Sequence, residues 1–61
     1  MFKIEYDKMI GAKLYTLTYD RLFFSVEGAS HVANHLRNTL HADVYIISTV
    51  TGLTVDYYWA D

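Results

Sequence analysis

The stretch GASHVANHLRNTLH, residues 28–41, decides the fold because every other segment of the chain has the pattern of a β-strand or a turn. Within this stretch Val32, Leu36 and Leu40 recur every four residues. Apolar side chains at that spacing lie on one face of an α-helix. The pattern therefore predicts a single helix over roughly 29–41.

Strand-like segments stand on both sides of this helix. Residues 2–7 and 53–59 alternate apolar and polar side chains, and residues 12–19 and 44–50 are rich in β-branched or aromatic side chains. Residues 22–26 either form a further strand after a turn at Asp20-Arg21 or end one bent strand that runs from 12 to 26. The predicted element order is β-β-(β)-α-β-β, in which the bracketed strand is the optional one.

This order predicts one α+β domain over residues 1–61, a two-layer sandwich of one helix on a mainly antiparallel sheet of four or five strands. A chain of 61 residues has no room for a second domain. The element order also resembles ββαββ, the β-grasp arrangement of small binding domains, although no shared motif accompanies that order. The β-grasp alternative implies that segments 2–7 and 53–59 pair in parallel at the centre of the sheet.

The chain is apolar for its length, with 52% hydrophobic and 16% aromatic residues. One helix covers only one face of such a sheet, so only part of this apolar surface can be buried under it. The strand residues assigned to the covered face are Phe2, Ile4, Leu17, Leu22, Phe24, Val26, Val55 and Trp59.

The remaining apolar side chains predict a second contact surface, on the opposite face or at an edge of the sheet. Tyrosine suits such a surface because it buries a large area at a small cost in side-chain entropy. The residues expected to contact a partner are Phe23, Tyr45, Ile47, Tyr58, Tyr15 and Tyr19. In the alternative interpretation, a third strand or a curled sheet folds these residues into the same core.

Composition argues against several classes of function. The chain has no cysteine, which excludes disulfides, cysteine zinc sites and thiol catalysis. Its net charge of −2 and its scattered cations argue against nucleic-acid binding. No segment approaches the roughly 20 apolar residues of a membrane helix, and the N-terminus lacks the pattern of a signal peptide. We therefore expect a cytoplasmic protein that does not enter membranes.

His31 and His35 have the spacing of metal ligands, because residues four apart on a helix can reach one ion. A third ligand would have to come from elsewhere, such as Asp43, Glu27 or His41, and we expect no metal site or cofactor. The chain also lacks a nucleophile motif, a paired-carboxylate motif and a phosphate-binding loop. We therefore expect a protein that is not an enzyme.

These observations predict a small protein-interaction module that binds a larger protein through an aromatic sheet face or edge and self-associates as a homodimer. Small regulators and inhibitors encoded by phages or other mobile elements share this size. One alternative is an oligomer that binds a small ligand in an aromatic pocket between its subunits. The other is a single-stranded nucleic-acid binder that stacks bases on its aromatic strands.

Overall fold

A computed structural model describes residues 1–60, which form one four-stranded antiparallel sheet with one helix packed on one face. The elements are β1 (Phe2–Ile10), β2 (Lys13–Phe23), α1 (Val26–Leu40), β3 (Val44–Ser48) and β4 (Thr54–Tyr58). The strand order is β2-β1-β3-β4, and each neighbouring pair is antiparallel. The predicted α+β class and element order are therefore confirmed.

The β-grasp alternative is wrong in its pairing, because β3 lies between β1 and β4 and pairs with both of them. Each pairing of β3 is antiparallel, so the parallel central pair of a β-grasp sheet is not formed within residues 1–60. Over the same residues, no helix combines the length and the apolar character needed to cross a membrane.

A bulge, rather than a turn, occupies the segment 20–21. A step of two residues along β1, from Lys3 to Glu5, matches a step of four along β2, from Leu22 to Thr18. Two-residue hairpin turns favour glycine or asparagine, which the Asp-Arg pair does not provide, whereas a bulge accommodates surplus residues within one strand. Residues 13–23 are therefore one long strand, as in the bent-strand alternative.

The bulge adds two residues to β2. Because this number is even, the side chains before and after the bulge keep the same alternation between the two faces of the sheet. Phe23 accordingly faces the helix and is 5% exposed. Leu22 faces the other way and is 52% exposed, and Phe24, which follows the strand, is 89% exposed. The assignment of Leu22 and Phe24 to the covered face was wrong, because it assumed a new strand whose alternation started after a turn.

Small side chains on α1 form the centre of the contact between helix and sheet. Ala29 and Ala33 are completely buried against a core that contains Ile4, Val44 and Ile46. An alanine face leaves room for the strand side chains to fill the interface at the density of a protein interior. This contact centres the helix over β1 and β3, the two inner strands of the sheet.

The helix begins at Val26, three residues before the predicted start, because Ser25 caps it. The Ser25 backbone is extended, with φ −132°, and its hydroxyl oxygen accepts a hydrogen bond from the Gly28 N–H at 3.2 Å. This satisfies one of the amides that the first turn of a helix leaves without a partner. At the other end His41 takes the left-handed conformation, with φ 51°, that commonly ends a helix.

The register of β4 on β3 reverses the predicted faces of β4. Val44, which is buried under the helix, pairs with Tyr58, so Tyr58 lies on the helix side of the sheet. Trp59 then lies on the opposite side, since alternate residues of a strand point to opposite faces. Val55 and Trp59 are 47% and 55% exposed, so their assignment to the covered face was wrong. The other residues assigned to that face, Phe2, Ile4, Leu17 and Val26, are buried or half-buried.

We expect Ala33→Leu to lower the free energy of unfolding by about 1–3 kcal/mol, because the added atoms must displace β1 or β3 side chains from a filled core. Thr39→Leu adds the same side chain at an exposed position of the same helix and should change stability little. Urea unfolding followed by circular dichroism measures both. Equal stability of the two variants would show that Ala33 is not at a tight contact.

Candidate functional site

Three aromatic rings, from Tyr45, Tyr57 and Trp59, form a cluster on the face of the sheet that the helix leaves uncovered. We call this cluster the aromatic patch. Tyr45 and Tyr57 lie opposite each other on β3 and β4. The Trp59 ring meets Tyr45 edge-on, with centroids 6.2 Å apart and planes at 88°, and lies 4.8 Å from Tyr57 at 58°. These separations are typical of favourable aromatic pairs.

Much of the aromatic patch remains in contact with solvent. Tyr57 is 53% exposed and Trp59 is 55% exposed, whereas Tyr45 is half-buried beneath them. Ile47 lies two residues further along β3 on the same face and is also half-buried. The patch thus has a fixed base on β3 and exposed rings above it, which is the composition of the centre of a protein interface.

Asp7 holds the Tyr45 ring through hydrogen bonds that connect three neighbouring strands. The Tyr45 hydroxyl on β3 donates to Asp7 Oδ2 on β1 at 2.8 Å. The Thr16 hydroxyl on β2 donates to Asp7 Oδ1 at 2.7 Å. Hydrogen bonds to a charged acceptor are stronger than those between neutral groups. Both carboxylate oxygens are thus engaged, which holds the base of the aromatic patch in one orientation.

Asp43 holds the chain immediately after Trp59. Its Oδ1 accepts a hydrogen bond from the Ala60 N–H at 2.7 Å, and its backbone carbonyl accepts one from the Asp7 N–H at 3.0 Å. The residue therefore links the end of β4 to β1 across the start of β3. This link keeps Trp59 beside the tyrosine rings although it lies beyond the last paired residue of the sheet.

The two aspartates give the aromatic patch a negative potential. The pKa of Tyr45 is raised from 10.0 to about 12, first by its hydrogen bond to Asp7, then by burial, and then by the charges of Asp7 and Asp43. Each of these effects favours the neutral phenol over the phenolate. Such a potential favours a partner that brings cationic side chains to the patch.

The rest of the uncovered face is more polar than the sequence indicates. On β1 the side chains of Lys3 and Glu5 lie on this face and form an ion pair, with Nζ and Oε2 3.2 Å apart. Asp7 continues the same polar line. The uncovered face is therefore divided, with the aromatic patch on β3 and β4 and exposed leucines at positions 14 and 22 of β2.

Two of the six predicted contact residues, Tyr45 and Ile47, lie on the uncovered face where the sequence predicts them. Tyr15 is 41% exposed on β2, but it pairs with Lys8 and so lies on the helix side of the sheet. It is therefore separate from the aromatic patch and belongs to the free edge of the sheet.

The other three predicted contact residues belong to the helix side. Phe23 is part of the core, and Tyr19 and Tyr58 pack against that core. They do not contribute to a surface on the uncovered face, which corrects the prediction for Phe23 and Tyr58. The cause is the register of β2 and β4, which turns these rings towards α1.

Tyr57 and Trp59 are the exposed residues of the aromatic patch that sequence reasoning did not identify as contact residues. Their alternation with polar neighbours was visible, but it indicates only that the two share a face. Which face they share depends on how β4 pairs with β3, and a shift of one residue reverses the answer.

His31 and His35 lie on the exposed side of α1 and do not come together with further ligands. His31 lines a groove of about 350 Å³ between the first turns of α1 and Tyr58. His35 Nε2 lies 3.5 Å from the Thr39 hydroxyl. No group of three or more His, Cys, Asp or Glu side chains within residues 1–60 is placed to hold a metal ion.

Comparison with known proteins finds no match to a family model, to a curated protein or to a solved structure.

The raised pKa of Tyr45 predicts a late step in the alkaline titration of the chain. Tyr45 stabilises the fold through its neutral form, so this contribution is fully present below pH 10.0 and is lost as the pH rises towards about 12. Asp7→Asn removes the nearest negative charge and should bring the pKa of Tyr45 back towards 10.0. Ultraviolet absorbance of the phenolate measures the titration, with Asp20→Asn as a control for charge removal. A late tyrosine step that survives Asp7→Asn would contradict the assignment.

Proposed function

We propose that the protein is a non-enzymatic interaction module that binds a larger protein through the aromatic patch of Tyr45, Tyr57 and Trp59. The observation that carries the proposal is the exposure of two large rings, each more than half exposed, on a base that is held by charged hydrogen bonds. Exposed aromatic surface of this kind marks interaction sites in soluble proteins.

The preorganised base of the aromatic patch supports a binding role. The Tyr45 ring is restrained by its hydrogen bond to Asp7, and the main chain beside Trp59 is restrained by the bond from the Ala60 N–H to Asp43, so these parts of the patch need little ordering when a partner docks. Ordering a free side chain on binding costs about 0.5–1.5 kcal/mol. A ring cluster that is already held avoids part of that cost.

Charge favours a partner with an apolar surface that carries arginine or lysine side chains. Asp7 and Asp43 lie at the aromatic patch, and tyrosine and tryptophan rings attract cations through their faces. The same carboxylates repel phosphate groups, which weighs against the nucleic-acid alternative at this surface. A cytoplasmic regulator or inhibitor of the size typical of phage-encoded proteins fits this description.

The proposal predicts that Trp59→Ser and Tyr57→Ser each abolish partner binding while the fold is kept. Both side chains are exposed and outside the core, so their loss should change stability little. Leu53→Ser, a control at a residue 68% exposed, removes apolar surface outside the patch. Tagged chains can be compared by quantitative capture from a lysate of the source organism, with circular dichroism to confirm the fold. Equal capture by Trp59→Ser and by the unmodified chain would contradict the proposal.

Trp59 is the only tryptophan in the chain, so its fluorescence reports directly on the aromatic patch. Once a partner has been captured, its binding should shift the Trp59 emission to shorter wavelength and protect the indole from quenching by acrylamide. Because cationic side chains meet Asp7 and Asp43 in this proposal, affinity should also fall as salt concentration rises. Binding that leaves the emission unchanged would place the partner elsewhere on the molecule.

A further inference from the structure

The long edge of the sheet is formed by β2, at the opposite end of the strand order from β4 and its part of the aromatic patch. β2 has eleven residues and lies at one end of the strand order. Between Lys13 and Asp20 it contains no charged residue. Natural edge strands are usually short, charged, bulged or covered, because their free N–H and C=O groups otherwise pair with another chain. The segment 14–19 has none of these protections until the bulge that follows it.

The turn between β1 and β2 determines which backbone groups of this edge are free. Ile10 pairs with Lys13, so the loop has two residues, and Gly11 at its first position has a φ of 66°. In such a hairpin the closing pair exchanges hydrogen bonds, and bonded and non-bonded pairs then alternate along the strands. The N–H and C=O groups of Leu14, Thr16 and Thr18 therefore point outward from the edge.

The sequence of the free edge is a palindrome. Residues 15–19 read Tyr-Thr-Leu-Thr-Tyr, which is the same in both directions and is centred on Leu17. Antiparallel pairing of two copies around a two-fold axis at Leu17 places Tyr15 opposite Tyr19 and Thr16 opposite Thr18. The outward N–H and C=O groups of the threonines then meet in hydrogen-bonded pairs, which is the alternation that the hairpin imposes.

We infer that the protein forms a two-fold symmetric dimer by antiparallel pairing of β2 with β2 of a second copy, centred on Leu17. The two sheets join into one continuous sheet, and both helices lie on the same side of it. Side-chain pairs across the seam are Leu with Leu, Thr with Thr and Tyr with Tyr, which are favourable cross-strand pairs. The arrangement is isologous, so it closes after two copies.

The features at the two ends of the segment limit the seam to these residues. The bulge at 20–21 breaks the regular edge beyond Tyr19. The Lys13 Nζ atom lies 5.6 Å from the centre of the Tyr15 ring, and the Arg21 Cζ atom lies 5.1 Å from the centre of the Phe23 ring. The positive charges of Lys13 and Arg21 at the two ends oppose pairing of the strands beyond this segment. A seam of five residues is about 17 Å long, which is at the small end of protein interfaces, so we expect a dimer that dissociates at micromolar concentrations.

Pairing of the edges also gives support to an arm of the molecule that is poorly covered in the single chain. β3 pairs with β1 only over Phe2–Tyr6, so the hairpin of β1 and β2 extends past it as two strands. Met9, Ile10 and Leu14 on this arm are each more than half exposed. Two-stranded ribbons are barely stable by themselves, and the second copy adds a third strand at the base of this arm, next to Tyr15 and Thr16.

The absence of cysteine from the chain allows a direct test by cross-linking. Leu17→Cys places two thiols opposite each other at the two-fold axis, with Cβ atoms about 4.5–5.5 Å apart, and should form a disulfide-linked dimer under mild oxidation. Tyr15→Cys is the matched control, because its two copies are separated by about four residues, or ~14 Å along the strands. Equal cross-linking by both variants, or none by Leu17→Cys, would overturn the proposed register.

A charge in the seam provides the second test. Thr18→Lys brings two ammonium groups to diagonal positions across the seam and should weaken self-association roughly tenfold or more in sedimentation velocity measured over a range of concentrations. Thr54→Lys is the matched control, since Thr54 is also an exposed threonine of an edge strand on the uncovered face. A monomer at all concentrations, open-ended oligomers, or equal weakening by both variants would overturn the inference.

The dimer and the aromatic patch are independent and can fail separately. Trp59→Ser should leave the dimer intact, and Thr18→Lys should leave the capture of a larger protein intact. Only like charges flank the seam, so added salt should leave dimerisation unchanged or strengthen it, whereas it should weaken binding at the patch. A dimer that Trp59→Ser dissociates would place the self-contact at the patch and contradict the edge pairing.

Discussion

The packing of the alanine face of α1 on the two inner strands is the contact on which the rest of the structure depends. Ala29 and Ala33 lie against Ile4, Val44 and Ile46, and all five side chains are fully buried. The helix is fifteen residues long and covers one face of the sheet, so every side chain on the other face must be solvated or meet a partner. In a chain of this size, the residues on that other face therefore largely decide what the protein can bind.

The uncovered face combines two solutions to this constraint. Along β1 it is polar, with an ion pair between Lys3 and Glu5 and an aspartate that accepts a hydrogen bond on each carboxylate oxygen. Along β3 and β4 it is aromatic. Asp7 connects the two regions, because the same carboxylate that makes β1 polar also holds Tyr45 in place. The aromatic surface is thus a supported feature of the fold, which distinguishes it from a random excess of apolar residues.

The fold class, the element order and the position of the helix could be predicted from the sequence, because each depends on local periodicity. The spacing of Val32, Leu36 and Leu40 is a local signal, and so is the alternation in 2–7 and 53–59. The strand faces were harder to predict because they depend on pairing between distant segments. The contact of Val44 with Tyr58, fourteen residues away, decides which side of β4 faces the helix, and no local pattern records it.

The composition indicated a second contact surface, but this surface could be located only once the pairing register of the strands was known. Tyr45 and Ile47 could be predicted because β3 is apolar on both faces, whereas Trp59 was assigned to the covered face and Tyr57 was assigned to neither surface. The same limitation placed Phe23 outside the core. In β2 the deciding feature was the bulge between Thr18 and Leu22, since it replaced a turn and kept the alternation in phase.

The most direct test of this account is the set of nuclear Overhauser contacts of the Trp59 indole in the free, dilute protein. If β4 pairs with β3 as described, the indole protons show contacts to the rings of Tyr45 and Tyr57 and none to Val32 or Leu36 of the helix. Contacts from the indole to the helix side chains would show that β4 presents its aromatic residues to the core. The aromatic patch and the function proposed for it would then both be wrong.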